Sequence, residues 1–330
     1  MSHIAVVSRV IAVTAIASLM LVSLGSCSLL RHAVPHNPES KHIGQPVVES
    51  GATAVSGRFE IGVYEHGDTS SYQSITRFGD VIKAHVGIVT YYSAWREAFQ
   101  LAFAEAAHRH GAAPLVQIEP TDISLAAVAA GSYDDYLRSY ARAVKAFGYP
   151  VIIGFGHEMN GSWYSWGFRR TKAAVWVRAW RHIVDVFRSE GAKNVAWLWT
   201  ISHHVGAGTG PLSAYWPGAG YVNCVGIDGY YVAPSDTFRT VFAPAVRAVR
   251  SLTRDPIILS EAAVGRTTGH RSLDVENLFA GIRQYQIEGI VWFDVAQQGS
   301  VIHQDWRLEG DPDSIAAFRR GIRRLGIVSS

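Results

Sequence analysis

The sequence predicts a single closed (β/α)8 barrel over residues 57–330. From residue 57 onward, eight short apolar runs alternate with amphipathic stretches, and each run has the length of a strand buried on both faces. The span also suits eight βα units, which usually occupy about 250 residues. A doubly wound open sheet is the rival architecture. It more often carries a glycine-rich turn after its first strand, and "GVYEHGDTS" has no such turn. No boundary divides the region into two domains.

The strand candidates, in order, are "RFEIGVY", "VGIVTYY", "APLVQIEP", "PVIIGFG", "NVAWLWTI", "NCVGIDGY", "PIILSEA" and "GIVWFDV". Between them lie helix patterns with apolar residues at i, i+3 and i+4. "WREAFQLAFAEAAHRHG", "SYDDYLRSYARAVKAFG" and "TKAAVWVRAWRHIVDVFRSEG" each close on a glycine, with Ser132 and Thr171 placed as N-caps of the second and third. "SLDVENLFAGIRQYQIEG" and "SIAAFRRGIRRLG" complete the set, while the fifth connection, "PLSAYWPGAG", holds at most a short helix. Trp176 and Trp180 share one helical face and read as core. At least one of Trp197 and Trp199 is expected to pack against helices.

Ahead of the barrel lies a targeting segment, residues 1–27. A weakly basic start ends at Arg9, and the uncharged run "VIAVTAIASLMLVSLG" is short for a membrane span of about 20 residues. The stretch "LGSC" resembles a bacterial lipobox, with Cys27 as the lipidated residue; cleavage near Ser26 or an uncleaved anchor are the alternatives. Residues 28–56, polar and without periodicity, read as a flexible tether. The expected location is therefore exported, as a cell-surface lipoprotein or a secreted protein. Cys224, the second cysteine, then has no disulfide partner and reads as a small core residue.

Composition excludes several functions. With 48% hydrophobic and 17% charged residues the chain can bury a large core. The net charge of +3 is small, and the basic residues are spread out, so no clustered basic face for nucleic acid is present. Membrane contact is expected only through the N-terminal lipid anchor, and the chain is expected to be a monomer.

In a barrel, chemistry gathers where strands end and βα loops begin. Glu119, Glu158, Asp228, Glu261 and Asp294 all fall at or near such ends. Carboxylates converging on one mouth are costly unless hydrogen-bonded or used. Strands four and seven lie across the mouth, so Glu158 and Glu261 can face each other. Breaking a glycosidic bond needs a proton donor for the leaving oxygen and a second carboxylate to attack the anomeric carbon or to activate water. Trp163, Trp166, Tyr230, Tyr231 and Trp292 offer aromatic faces on the same rim. The triplets "SHH" at 202–204 and "HQD" at 303–305 match no metal-ligand spacing and read as polar cleft or loop.

"HEMNGSWYSWG" resembles the strand-four motif of glycoside hydrolase family 26, the β-mannanase family of (β/α)8 retaining enzymes. "YWPGAGYVNCVGIDGYY" is similar to its strand-six segment, and "PIILSEAAVG" and "IVWFDV" fall where the family places its nucleophile and a strand-eight aromatic. The resemblance implies Glu158 as general acid/base and Glu261 as nucleophile, with carboxyl groups about 5–5.5 Å apart. It implies His157 as a positioning group, Tyr230 as a hydrogen-bond partner of the nucleophile, and Trp163 and Trp292 as sugar-binding surface. It calls for neither a metal nor an organic cofactor. Three positions depart from the pattern: Gly154 replaces an arginine, Ile201-Ser202 replaces Pro-Asn, and Tyr231 replaces an asparagine. The expected activity is endo-hydrolysis of a β-linked polysaccharide, β-1,4-mannan first. The alternatives are β-glucan or β-xylan hydrolysis, or a non-catalytic carbohydrate-binding lipoprotein. Two carboxyl groups in different protonation states should give a bell-shaped pH dependence on the acidic side of neutral.

Overall fold

The computed structural model describes residues 59–65, 69–297 and 304–327. Cys27, the targeting segment and the tether of residues 28–56 lie outside the described residues, as does His303. Eight parallel strands close a barrel: β1 (Glu60–Tyr64), β2 (Ile88–Ala94), β3 (Ala113–Glu119), β4 (Val151–Phe155), β5 (Val195–Ser202), β6 (Cys224–Tyr231), β7 (Ile257–Val264) and β8 (Gly289–Phe293). Each strand pairs with its sequence neighbour, and β1 pairs with β8, Tyr64 opposite Phe293, to complete the ring. After β8 a small antiparallel pair, β9 (Ala296–Gln297) and β10 (Gln304–Asp305), leads into the final helix.

The helices are shorter than the periodic patterns suggested. The first of the three long patterns yields a helix only over Leu101–Arg109. Tyr133, not Ser132, precedes the helix Asp134–Phe147, and Lys172, not Thr171, precedes Ala173–Ser189. Thr171 instead donates to the Ser165 carbonyl. The fifth connection carries only the short helix Leu212–Tyr215 and a 3₁₀ turn, Ala219–Tyr221.

Two separate apolar clusters result from strand alternation. Inside the barrel lie Ile88, Leu115, Ile152, Ala196, Leu198, Cys224, Ile258 and Val291. Cys224 is thus a buried filler of the barrel floor, its thiol pushed up by burial. The larger cluster packs the outward faces of the strands against the helices. Trp197 sits against Trp180 and Phe187, and Trp199 against Trp216, so both strand-five tryptophans face the helix layer.

One step up from the apolar floor, the barrel interior turns polar. The Gln117 amide donates to Thr200 Oγ1 at 2.9 Å, and Ser260 Oγ donates to Asp228 Oδ1 at 2.6 Å. Gly154 and Gly226 leave room for these groups. A β-carbon at Gly154 would collide with the Gln117 carboxamide, and one at Gly226 with the Ser260 and Thr200 hydroxyls. The absence of a side chain at Gly154 therefore has a packing cause: Gln117 occupies that space.

Candidate active site

Glu158 leaves β4 through a constrained turn. Its φ is 52°, in the left-handed region that costs a non-glycine residue about 1–3 kcal/mol, and Gly156 just before it has a φ of 53°. The turn is held from several sides. Glu158 N donates to the Thr200 carbonyl at 3.0 Å, and Gly161 N donates to the Glu158 carbonyl at 2.9 Å. The buried Asn160 side chain donates to the carbonyls of Ser202 (3.1 Å) and His204 (2.7 Å) and accepts from Ser202 N (2.9 Å). The "HEMN" stretch is thereby clamped to the end of β5.

The Glu158 carboxylate accepts the Trp163 indole N–H at 2.7 Å and a hydrogen bond from Ser202. Burial, reinforced by the charge on Glu261, raises it to about 8. His157 is buried beside it and bonds Tyr164 through Nε2 at 3.1 Å. Burial lowers His157 to about 3, so the ring is neutral at working pH.

Glu261 does not end its strand as expected. It lies within β7, which continues to Val264, and reaches the mouth because β7 is bulged there. Two residues of β6 (Gly226 to Asp228) span three of β7 (Ile258 to Glu261), and Leu259 to Ala262 spans only Ile290 to Trp292 on β8. Without the extra residue, Glu261 and Ser260 would point to opposite faces; the bulge re-aims the carboxylate. Tyr92 from β2 and Tyr230 from β6 each donate a short hydrogen bond to it, one to each oxygen. Burial raises Glu261, while the two phenol donors favour its ionised form and oppose that rise. Burial and the nearby carboxylate raise both phenols far above their ordinary value, so they remain donors.

Two further carboxyl groups share the mouth. Asp228 is fully buried, level with Glu261 on the neighbouring strand, and raised by burial and by the charges of Glu261 and Glu158. Glu119, at the end of β3, is raised to about 7 by burial, then by Glu261 and Glu97. Among the described residues, the groups that shift these four carboxyls are other carboxyls and hydrogen-bond donors, not lysines or arginines.

The aromatic expectations divide. Trp163 is half-buried and in contact with Glu158, and Tyr230 is in contact with Glu261. Trp292 is not at the mouth. It is fully buried, packs on Phe318 of the last helix and donates to the Trp306 carbonyl, because strand parity turns it outward between Val291 and Phe293. Phe293 takes the inward place, stacked on Tyr64 at 4.8 Å and edge-on to Tyr230 at 5.5 Å. Tyr231 likewise faces out, against Phe242, and bonds Asn277. Trp166 is buried, stacked on Tyr164 and bonded to the His157 carbonyl.

Sequence reasoning missed Tyr92 and Trp306. Tyr92 shares the parity of Ile88, an interior residue, and that periodicity could have found it. Trp306 backs Tyr230 at 4.8 Å. Its loop is pinned by the buried Arg271, which donates to the carbonyls of Val264, Trp306 and Arg307 and to Asp311.

The remaining candidates have other surroundings. Asp294 accepts from Leu308 N at 2.8 Å and pairs with Glu65; burial raises them to about 6 and about 8. His203 lies against the Asp228 carbonyl with its ring 3.9 Å from that of His204, and burial lowers it to about 3.

The model of glycosyl hydrolase family 26 matches residues 131–263, a span that includes both Glu158 and Glu261. Endoglucanase H of Acetivibrio thermocellus is 29% identical over 272 residues, covering 78% of this chain and 29% of that protein. Mannan endo-1,4-β-mannosidase A and B of Caldalkalibacillus mannanilyticus is 33% identical over 94 residues, 26% of this chain and 18% of that protein. The chain thus spans less than a third of the length of either relative. The catalytic domain of the Bacillus sp. JAMB-750 endo-β-1,4-mannanase shares the fold at a TM-score of 0.64 and 15% identity, over 84% of this chain and 91% of that one.

Proposed function

We propose that this chain, which belongs to glycosyl hydrolase family 26, hydrolyses a β-linked polysaccharide internally and with retention, using Glu261 as nucleophile and Glu158 as acid/base. The carrying observation is the unequal treatment of the two glutamates. Glu261 receives two phenol donors that favour its charge, while Glu158 is desolvated and held against that charge, raised to about 8. Glu158 is thereby held protonated near neutrality, ready to donate, while the two phenols favour the charged form of Glu261 that double displacement requires.

In the first step Glu261 attacks the anomeric carbon while Glu158 gives its proton to the leaving oxygen. Glu158 then takes a proton from the water that releases the sugar from Glu261. Trp163, His157 with Tyr164, and the rim of Tyr64, Phe293 and Tyr230 bound the space around the pair. The substrate we favour is β-1,4-mannan. A β-glucan is the second reading, supported by the relative called an endoglucanase, which aligns with far more of this chain than the mannosidase does.

Reducing-sugar release from mannan, mixed-linkage β-glucan and β-xylan by the purified protein tests this, with Glu158→Ala and Glu261→Ala as controls. Cleavage lost in both variants is expected. Cleavage that survives both substitutions, or binding of glycan with cleavage of none, would overturn it.

A further inference from the structure

Each buried carboxyl group at the barrel mouth has a protein partner except one. Glu158 has Trp163 and Ser202, Asp228 has Ser260, Glu261 has Tyr92 and Tyr230, and Asp294 has Leu308 N. Glu119 is only 5% exposed, yet among the described residues its carboxyl group makes no hydrogen bond and no ion pair. It sits at the C-terminal end of β3, beside Ala94 of β2 and two residues beyond Gln117 of the polar interior. The charge of Glu261 raises it, and its own charge acts on Tyr164, both groups at the mouth of the barrel. Its oxygens are not among the fully buried unpartnered polar atoms of the described residues, so the carboxyl group keeps a narrow opening to the cleft. No protein group satisfies it there, which leaves its hydrogen-bonding capacity to what enters the cleft.

We propose that Glu119 is a substrate-contacting, specificity-determining residue whose carboxyl group binds hydroxyls of the sugar unit presented to Glu261. This inference rests on the glycosidase reading above. A carboxyl group offers four lone-pair sites and can hold two neighbouring hydroxyls at once, which makes it sensitive to their orientation on the ring. With burial holding it near 7, it is both donor and acceptor in mildly acidic solution and a pure acceptor above that.

The test uses Glu119→Gln, which keeps the shape, and Glu119→Ala, assayed on mannan and mixed-linkage β-glucan beside thermal unfolding. The expected result is a loss of about 10- to 100-fold in kcat/KM, unequal between the two glycans, with Tm unchanged or raised. A structural residue would lower Tm and reduce activity on both glycans equally, and that outcome overturns the proposal. So does an unchanged kcat/KM on every glycan the wild type cleaves, which leaves the glycosidase reading standing. Should the wild type cleave neither glycan, that reading fails. Calorimetric binding of mannohexaose and cellohexaose then decides Glu119 alone: weaker binding by Glu119→Gln supports it, and equal or absent binding overturns it.

Discussion

The corners of the mouth built by β4 and β7 hold the same residue type in opposite ways. At β4 the glutamate is fixed through its backbone, by a left-handed φ and by Asn160 clamped to β5, and its carboxyl is left poorly solvated with an indole donor. At β7 the backbone continues as strand, and the carboxylate is fixed through its own oxygens by two tyrosines from β2 and β6. The difference shows two ways in which one barrel fixes a buried carboxyl group, through the backbone or through its own oxygens. Each carboxyl has two donors; what separates them is that the charge on Glu261 adds to burial at Glu158, whereas at Glu261 the two phenols oppose burial.

That contrast can be broken most severely at Glu261. Glu261→Ala should lower kcat/KM by about 10⁴-fold or more, and added azide should yield an α-linked glycosyl azide from an activated substrate. Glu158→Ala should cost about 10²- to 10⁴-fold on polymer and much less on aryl glycosides whose leaving group needs no proton. Azide should then give the β-linked product, read by proton NMR; the same anomer from both variants would remove the distinction. Tyr92→Phe and Tyr230→Phe should each cost about 10- to 100-fold, since a hydrogen bond to a charged group contributes about 1.5–3 kcal/mol. Both should also move the acid limb of the pH–rate profile upward, because each removes a donor that favours ionised Glu261.

Smaller effects sharpen the picture. Gly154→Ala should destabilise by about 1–3 kcal/mol in denaturant unfolding, and less in the Gln117→Ala background, where the colliding carboxamide is gone. The pH dependence of stability has a definite sign. Burial raises Glu158 from 4.5 to about 8, so the folded chain keeps a proton that the unfolded chain has released. This contribution to stability is greatest below about 4.5 and is lost as pH rises through about 8. Glu158→Gln should flatten that slope in Tm against pH. The same shift puts the alkaline limb of activity near 8, above the acidic range expected from unperturbed carboxyl groups.

Much of this was legible in the sequence, for identifiable reasons. Doubly buried strands must be continuous apolar runs, so all eight strands fall within two or three residues of their expected places. The place of Glu158 at the barrel mouth was readable because it follows directly on an apolar run of strand length. Strand parity was the information left unused. Counting from Val291 assigns Phe293 to the interior and Trp292 to the helix layer, and counting from Ile88 brings Tyr92 inward. The bulge at Glu261 defeats any count by two, since one inserted residue reverses the facing of all that follows. Trp306 was not readable, because its place depends on a loop held by Arg271 from another segment.

The most direct measurement is to trap the covalent intermediate. The protein would be incubated with 2,4-dinitrophenyl 2-deoxy-2-fluoro-β-mannobioside and the corresponding β-cellobioside, then digested and mapped by mass spectrometry. One sugar adduct per chain is expected, on Glu261, absent from Glu261→Ala and retained in Glu158→Ala. An adduct on Glu158 or Glu119, or a first-formed product of inverted configuration, would contradict it.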